Sequence, residues 1–373
     1  MFALGYKKTG LGKRVSLVMI KYMGKSSLGL GYAVAFSDLV LSPFMPSNTA
    51  RSAGTIYPVA SNIPLIFDST PEHEPRKLGA YISWVAIATT CVTSSMFLTA
   101  LAPNLLAVDL INKGTGHMIS WGAWASIMLP LMIPLFLLTP WLVYVVYPPT
   151  QKTSPEAPAW AAEELKKLGG ITTKELLMAG LAVVALGLWI FSKEVGIDST
   201  TTAISLVSIM VLANVITWDD VISNKAAFNV LIWFASLVAM AAGLKKVGVL
   251  DWIGSSTEVY LSGMSPTMLI LSMLFLFFVL HYFFASTTAH TTALMPIFLA
   301  IAIKLMTPEQ LIPFSILLAG SLGVMGIITP YATGPSPIWY GAGYISQGRW
   351  WALGAIFGAL YLAAIIIGAL IFI

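Results

Sequence analysis

The chain has 373 residues, of which 57% are hydrophobic and only 10% are charged. Soluble domains carry roughly 25% charged residues, so this composition excludes a soluble enzyme or a soluble binding module. The formal net charge of +4 is spread thinly along the chain, which excludes the concentrated basic surface of a nucleic-acid-binding protein.

Long runs without Asp, Glu, Lys or Arg follow one another along the chain. A run of about 20 apolar residues crosses a bilayer as a helix. The runs cover residues 78–108, 120–147, 176–192, 199–218, 226–244, 259–303, 310–348 and 350–373. We therefore predict an all-α polytopic membrane protein, with the lipid bilayer as its surroundings.

Basic residues predict which segments face the cytoplasm. Six of them lie between residues 7 and 25, and four more lie in the polar segment 148–174. Because loops rich in Lys and Arg remain in the cytoplasm, both segments are predicted to be cytoplasmic. The segment 148–174 is interpreted as a linker with a short amphipathic helix at 159–168, and it divides the chain into halves 1–147 and 175–373.

Each half contains an apolar stretch interrupted by small polar residues. The first stretch, 28–66, has the tip Ser47-Asn48-Thr49-Ala50-Arg51, and the second, 259–306, has a polar tip at 286–292. The apolar segment that follows the second tip is expected to be too short to cross the membrane alone. We therefore predict two re-entrant hairpins, whose tips must be buried in protein or line a wet cavity.

Each half also contains an apolar span broken by proline and glycine. The span 78–111 is predicted to break at Ala102-Pro103-Asn104, and the span 311–346 to break at 329–337. Broken helices present N–H groups that favour anions, and unwound carbonyl groups that can hold a cation. The two tips and the two breaks are expected to converge on one site.

The two halves align with each other as a repeat. Ser47-Asn48-Thr49-Ala50 aligns with Ser286-Thr287-Thr288-Ala289 at an offset of 239, and Lys7-Lys8 aligns with Lys245-Lys246 at an offset of 238. The predicted orientation places the first basic pair inside and the second outside, so the repeats are inverted, as in many secondary transporters. By this symmetry the first half lacks at least ~60 residues, so the N-terminus is expected to be truncated.

These motifs resemble the divalent anion–sodium symporter family. The first tip resembles its SNT signature, and Ser286-Thr287-Thr288 lies where the second SNT stands. The stretches PSNTARSAGTIYP, TWDDVISNKAAFNV and TPYATGPSPIWYGAGY resemble the branch of citrate/succinate and L-tartrate/succinate antiporters, and also the 2-oxoglutarate/malate translocators.

The resemblance implies a secondary active transporter of di- or tricarboxylates such as tartrate, citrate or succinate. It also implies a homodimer in the bacterial inner (cytoplasmic) membrane with elevator-type alternating access. Thr287 and Ser336 stand at positions where the family pattern has asparagine. This difference argues against a second sodium site and favours an anion antiporter over a sodium symporter. A sodium-coupled dicarboxylate symporter, and a truncated non-transporting product of such a gene, stay open as alternatives.

Polar residues of the tips and breaks are the candidates for the site. The predicted substrate-binding residues are Ser47, Asn48, Thr49, Arg51, Ser286, Thr287, Thr288, Thr333 and Pro335. The candidates for cation or proton coupling are Asp38, Asn104, Ser336 and His290.

Structural roles remain open beside these functional ones. The tip residues could cap helices, Arg51 could form a structural pair with Asp38, and His290 could be a hydrogen-bonded packing residue. The sequence contains no enzyme motif and no metal-ligand spacing, so neither an enzyme nor a metal centre is predicted. No cofactor is expected, and binding of sodium is left undecided.

Overall fold

The computed structural model describes residues 2–197, 199–261 and 263–373. Helices dominate the described residues, and an isolated antiparallel bridge joins Ser26 to Thr153. The helices of the first half are α1 Ala3–Thr9, α2 Leu11–Met23, α3 Ser27–Leu41, α4 Tyr57–Ala60, α5 Gly79–Met96, α6 Ala102–Thr115 and α7 Trp121–Val146. Short 3-10 segments cover Ser42–Phe44, Pro64–Phe67 and Leu98–Ala100, and a π-helix covers Thr49–Ile56.

The second half follows the linker helix α8, Glu156–Leu168. Its helices are α9 Thr173–Ile190, α10 Ser192–Val195, α11 Ser199–Leu212, α12 Trp218–Ile222, α13 Lys225–Lys246, α14 Val249–Leu261, α15 Pro266–Leu280, α16 Thr287–Leu305, α17 Pro308–Val324, α18 Ser336–Gly341 and α19 Gln347–Phe372. Short 3-10 segments extend α15 over His281–Phe283 and α17 over Met325–Ile327.

Seven helical segments of the described residues are long and apolar enough to cross a bilayer. They are Ser27–Phe44, Trp121–Val146, Thr173–Ile190, Pro266–Phe283, Thr287–Leu305, Pro308–Ile327 and Gln347–Phe372. A helix of 20 residues spans about 30 Å, the thickness of the hydrocarbon core. The prediction of an all-α polytopic membrane protein is therefore confirmed.

Serine residues start several of these helices. Ser26, Ser265 and Ser286 each accept a hydrogen bond at the side chain from the backbone N–H three residues later. This contact satisfies one of the N–H groups that the first turn of a helix leaves unpaired. The serine at the second tip is thus a helix cap, as the structural alternative proposed.

Helices α5 and α17 form the centre of the protein. Every residue of α5 is buried, as is every residue of α17 from Phe314 onward. The helices approach closely where Ser95 Oγ accepts a 2.9 Å hydrogen bond from the N–H of Val324. A Cβ atom on Gly323 would lie 2.5 Å from the backbone nitrogen of Ser95, so glycine permits this approach. Since a break follows each helix, the crossing brings both breaks into the interior.

The first break lies earlier than predicted. The α-helix ends at Met96, and Phe97 and Leu101 have extended backbone on either side of a single 3-10 turn, whereas Ala102, Pro103 and Asn104 form the first turn of α6. Proline is tolerated there because the N–H that it lacks would be unpaired in any case. The second break agrees more closely with its prediction, since residues 329–335 are non-helical and α18 begins at Ser336.

The second hairpin also differs from its prediction. Its first arm begins at Pro266 rather than at residue 259, which belongs to α14, and Ser262 lies outside the described residues. Most of the predicted polar tip, from Thr287 onward, forms the start of α16. This helix has 19 residues, so its length alone does not require re-entry. Re-entry and the inversion of the repeats stay predictions, and the side chain of Lys245 lies outside the described residues.

The predicted linker is bonded to the first half along its length. The N–H of Thr150 donates to the carbonyl oxygen of Arg76, and the N–H of Ser27 donates to that of Lys152. Helix α8 packs along α2. At the end of the linker, Arg14 Nε lies 2.6 Å from Glu175 Oε1. Residues 148–174 therefore hold a defined position between the halves.

Candidate functional site

The non-helical residues 329–335, named here the central stretch, receive the first hairpin tip. Asn48 Nδ2 donates a 2.7 Å hydrogen bond to Thr333 Oγ1, and both side chains are buried. Beside this bond, a Cβ atom on Gly334 would lie 1.8 Å from Thr49 Oγ1. Glycine at position 334 is therefore what allows the tip to approach the stretch.

The second tip contacts the same stretch through one carbonyl group. The oxygen of Ala332 lies 2.9 Å from His281 Nε2 and accepts a 3.4 Å hydrogen bond from Thr287 Oγ1. Tyr331 adds a hydrogen bond from its hydroxyl group to the carbonyl oxygen of Tyr282. Residues of both predicted tips thus contact the central stretch.

The first break joins this arrangement through the first tip. Thr99 Oγ1 donates a 2.6 Å hydrogen bond to the carbonyl oxygen of Pro43, just before the tip. Arg51 donates a 2.9 Å hydrogen bond to the carbonyl oxygen of Ala100. The described residues therefore bring all four discontinuous elements together.

The predicted substrate-binding residues differ in how far their side chains are exposed. Thr49 and Ser286 are exposed, and Ser47 and Thr288 are half-buried, whereas Asn48, Thr287, Thr333 and Pro335 are buried. Ser47 and Ser286 each accept a backbone N–H, from Ala50 and Ala289 respectively. A serine hydroxyl that accepts one bond still carries its own O–H donor. Capping and contact with a carboxylate are therefore compatible roles.

Arg51 occupies a position that the sequence did not lead us to favour. Its side chain is completely buried and lies 3.0 Å, measured from Nε, from Asp38 Oδ1. Its two terminal nitrogens donate to four further oxygens, on Met45, Ala100, Thr93 and Ser94. These five bonds match the five N–H donors of a guanidinium group. The structural pair with Asp38 is formed, and this arrangement gives no support to direct contact between Arg51 and a substrate.

Asp38 is equally well satisfied. Besides Arg51, the carboxylate accepts hydrogen bonds from Thr90 and Thr93, the first at 2.6 Å. Its two oxygens are thus occupied by the guanidinium group of Arg51 and by two threonine hydroxyl groups. Its contacts here are those of a partner for Arg51.

The other candidates for cation or proton coupling, Asn104, Ser336 and His290, differ in the hydrogen bonds that their side chains make. Asn104 donates through Nδ2 to the carbonyl oxygens of Ser94 and Phe97, but its Oδ1 is buried without a described partner. Ser336 Oγ donates a 3.4 Å hydrogen bond to the carbonyl oxygen of Gly326. Both ring nitrogens of His290 are buried without a described hydrogen-bond partner, and the ring packs against Phe277 at a centroid separation of 4.4 Å.

Sequence reasoning missed two groups of residues around the site. Thr90, Thr93 and Ser94 surround the Arg51–Asp38 pair, and the polar run Thr89-Thr90-Cys91-Val92-Thr93-Ser94-Ser95 within an apolar span was a signal for them. Trp339 Nε1 donates a 2.9 Å hydrogen bond to Ser52, within the π-helix that begins in the first tip. No pattern in the sequence indicated that contact.

A family model described as the sodium:sulfate symporter transmembrane region matches residues 1–372. The chain belongs to this family. The match covers both halves, both tips and both breaks.

Close relatives and a more distant structure agree with this assignment. The chain is 47% identical over all 373 residues to the L-tartrate/succinate antiporters of Escherichia coli K12 and of Shigella sonnei, and covers 76% of each of them. A crystal structure of the Alcanivorax borkumensis YdaH transporter, reported to have an unusual topology, matches with a TM-score of 0.60 at 16% identity. The match covers 99% of this chain and 84% of that one, and it supports the fold.

The predicted membership of a transporter family is thus confirmed. The named relatives are bacterial antiporters rather than enzymes. With seven candidate spans among its described residues, the chain is a multi-pass membrane protein of a transporter family, in agreement with the predicted localisation in a bacterial inner membrane.

Proposed function

We propose that this protein is a secondary active transporter that exchanges dicarboxylates, with L-tartrate and succinate as the leading pair. The observation that carries the proposal is the 47% identity over all 373 residues to antiporters of that name. The meeting of two polar tips on one non-helical stretch supports it, because transporters bind substrates where discontinuous helices meet near the midplane.

The substrate carboxylates bind at the accessible hydroxyl groups of the two tips. Ser47 and Thr49 supply donors on one side, and Ser286 and Thr288 supply donors on the other. Ser286 also begins α16, whose N-terminal N–H groups favour an anion. Asn48, Thr287 and Thr333 hold the tips in place from behind, and Pro335 shapes the start of α18.

Exchange is favoured over sodium symport by the contacts of two residues. Thr287 and Ser336 stand where the family pattern has asparagine, and both use their hydroxyl groups on backbone carbonyls, of Ala332 and Gly326 respectively. Neither side chain offers the amide oxygen that would help to hold a cation. The sodium-coupled symporter remains the second candidate, supported by the unpaired Oδ1 of Asn104.

The proposal extends to how the protein moves. The two halves are inverted repeats, and the tips and breaks form one body that crosses the membrane with its substrate, as in an elevator. The resemblance to the family supports a homodimer, in which the partner stabilises the stationary part. The Arg51 network supports a common body, because it joins the first tip to the first break.

Uptake of labelled succinate, tartrate and citrate into proteoliposomes tests the function. The vesicles are either empty or preloaded with unlabelled succinate, and each experiment is run with and without sodium. Uptake that needs the preload but not sodium supports the antiporter. Uptake that needs sodium but not the preload supports the symporter, and no uptake by folded protein supports a non-transporting product.

A pair of serine variants tests the binding site. Ser286→Ala removes a helix cap and a proposed substrate donor together, whereas Ser120→Ala removes a comparable cap from α7. Both lose capping, which is worth about 1 kcal/mol. Only Ser286→Ala is expected to raise the KM for succinate. If Ser120→Ala raises the KM equally, the effect comes from lost capping and Ser286 is excluded from the site.

A further inference from the structure

Two arginines lie over the ring of one buried tyrosine at the end of α7. The Cζ atom of Arg76 is 4.2 Å, and that of Arg349 is 5.8 Å, from the centre of the Tyr147 ring. One turn earlier on α7, the centre of the Tyr144 ring lies 4.5 Å from Lys152 Nζ. Each cation–π contact is favourable, but together they place three positive charges around two neighbouring rings.

The cations of this cluster have few described hydrogen-bond partners. Arg76 donates a 2.8 Å hydrogen bond to the carbonyl oxygen of Pro148, which uses one of the five N–H donors of its guanidinium group. Within the described part of the chain, neither Arg349 nor Lys152 makes a hydrogen bond or ion pair through its side chain, and both side chains are exposed. Most of the donors in the cluster are therefore available to a ligand.

The neighbouring carboxylates do not neutralise the cluster. In the loop that contains Arg76, Glu74 lies 3.4 Å from Lys77 Nζ and 4.0 Å from His73 Nε2. Asp68 and Glu72 of the same loop make no described ion pair with either arginine, and helices α5, α7 and α19 contain no acidic residue. Because like charges repel one another, the cluster favours the binding of an anion.

The cluster lies at the ends of membrane spans. Arg76 lies just before α5, Tyr147 directly follows α7, and Arg349 lies in the first turn of α19. Helices α7 and α19 are candidate spans, and further along them the hydroxyl groups of Thr139 and Tyr361 are 3.2 Å apart. The cations therefore lie where hydrocarbon meets water, at the surface that the distribution of basic residues predicts to be cytoplasmic.

The surface that leads from the cluster toward the bilayer centre is apolar. Trp141 and Val145 on α7, and Ile356 and Leu360 on α19, are exposed side chains. In a bilayer they contact acyl chains. An anion bound by the cluster thus has water on one side and hydrocarbon on the other, which is the position of a phospholipid headgroup.

We propose that Arg76 and Arg349 bind the phosphate group of an anionic phospholipid in the leaflet at this surface, and that Lys152 adds a third positive charge to the site. The planar guanidinium group matches two phosphate oxygens at once, whereas lysine acts as a point charge. A zwitterionic lipid fits less well, because its ammonium group meets three cations and no described carboxylate. Phosphatidylglycerol, which carries a net negative charge, has the required chemistry.

The bound lipid connects three parts of the chain at the membrane surface. The N–H of Thr150 already donates to the carbonyl oxygen of Arg76, and the carbonyl oxygen of Lys152 accepts from the N–H of Ser27. A phosphate group shared by Arg76, Lys152 and Arg349 adds the start of α19 to this connection between the linker and α5. Since the unfolded chain does not form the site, the lipid stabilises the folded protein by mass action.

Native mass spectrometry of the purified protein in detergent tests the site, with dioleoyl phosphatidylglycerol as the probe and dioleoyl phosphatidylethanolamine as the comparison. Arg349→Gln should weaken binding of phosphatidylglycerol about fivefold, and the double variant with Arg76→Gln about thirtyfold. The control combines Lys21→Gln with Lys166→Gln, which removes the same charge from exposed lysines. Lys21 Nζ lies 5.7 Å from the ring centre of Tyr22, so the control also removes a cation–π contact, and it should bind as the wild type.

Thermal unfolding gives a second measurement. Phosphatidylglycerol should raise the Tm of the wild type and of the control but not that of the arginine double variant, and inorganic phosphate should raise none of them. Arg349→Gln guards against folding defects, because this exposed side chain makes no described hydrogen bond. Equal binding of phosphatidylglycerol by the wild type and both arginine variants would overturn the proposal, as would equal binding of phosphatidylethanolamine. A rise in Tm with inorganic phosphate would assign the cluster to a soluble anion instead of a lipid.

Discussion

Asn48 and Thr333 lie 285 residues apart in the chain and are joined by a 2.7 Å hydrogen bond in the interior. The bond ties the first hairpin tip to the break in the second half. Since each residue comes from a different half, this contact between the tip and the central stretch forms only when the two halves are docked.

Replacing Thr333 by valine tests the importance of this bond. The change keeps the shape of the side chain but removes the acceptor, which leaves the amide of Asn48 unpaired at a cost of about 1–3 kcal/mol. We expect the KM for succinate to rise roughly tenfold in exchange assays while the protein stays folded. Thr333→Ser keeps the hydroxyl group and should behave as the wild type. A Thr333→Val variant with unchanged kinetics would show that the tip is positioned by other contacts.

Gly334→Ala should displace the first tip. The added Cβ would lie 1.8 Å from Thr49 Oγ1, a distance that no packing tolerates, so either the tip or the central stretch must move. We expect exchange to fall below a tenth of the wild-type rate, an order-of-magnitude estimate for overpacking that costs about 1–3 kcal/mol. Thr49→Ala in the same protein removes the clashing oxygen and should restore part of the Tm that Gly334→Ala loses; Tm is the readout because Thr49 is also a proposed substrate donor. Failure of this double variant to recover would place the effect elsewhere.

Arg51→Ala is expected to damage the fold rather than transport alone. Removing one member of a buried ion pair leaves the carboxyl group of Asp38 without its counter-charge, and such changes cost about 3–5 kcal/mol. Thermal unfolding of the purified protein in detergent should show a clear fall in Tm. Lys166→Ala breaks an exposed pair with Glu163 and should leave Tm nearly unchanged. If Arg51→Ala keeps the wild-type Tm but loses exchange, Arg51 belongs to the substrate site after all.

The contact between α1 and α12 should depend on pH in the acid range. A hydrogen bond from Lys8, at 2.7 Å, holds the pKa of the Asp220 carboxyl group at about 2, below its ordinary value of about 4. A carboxyl group whose pKa is lowered on folding stabilises the protein above its unfolded pKa, and this contribution is lost as the pH falls through the folded pKa.

The coupling between Lys8→Ala and Asp220→Ala measures this contribution. Double-mutant cycles of unfolding should give a favourable coupling at neutral pH that disappears between about pH 4 and about pH 2. A coupling that is unchanged across that range would show that the pair does not titrate as one unit.

Local polarity in the sequence predicted the parts of the site that interrupt apolar runs. Ser47, Asn48 and Thr49 in one stretch, and Thr333 in another, became candidates because polar backbone and side chains at membrane depth must be buried in protein or line a wet cavity. Their mutual contacts were only partly predictable. The sequence suggested that the tips meet, but not that Asn48 pairs with Thr333.

Other features of the site depend on contacts between residues that are distant in sequence, so the sequence alone did not predict them. Whether Arg51 faces a substrate or a carboxylate depends on the position of α5, which brings Thr93 and Ser94 to the guanidinium group. The π-helix that begins in the first tip was not predicted, and its contact with Trp339 joins residues 287 positions apart in the chain. The shift of the first break also follows from context, because Pro103 is compatible with a helix start as well as with a break.

The bonded linker has a consequence for how the two halves are joined. A free tether would only keep the halves at a high local concentration, whereas residues 150–154 pair with backbone groups at both Lys25–Ser27 and Arg76–Lys77. The entrances to α3 and α5 are thereby held at a fixed distance from each other. A chain cut between Gly169 and Gly170, just beyond α8, would leave this pairing with the first half intact. By its contacts, the segment 148–174 therefore belongs structurally to the first half, although in sequence it connects the two halves.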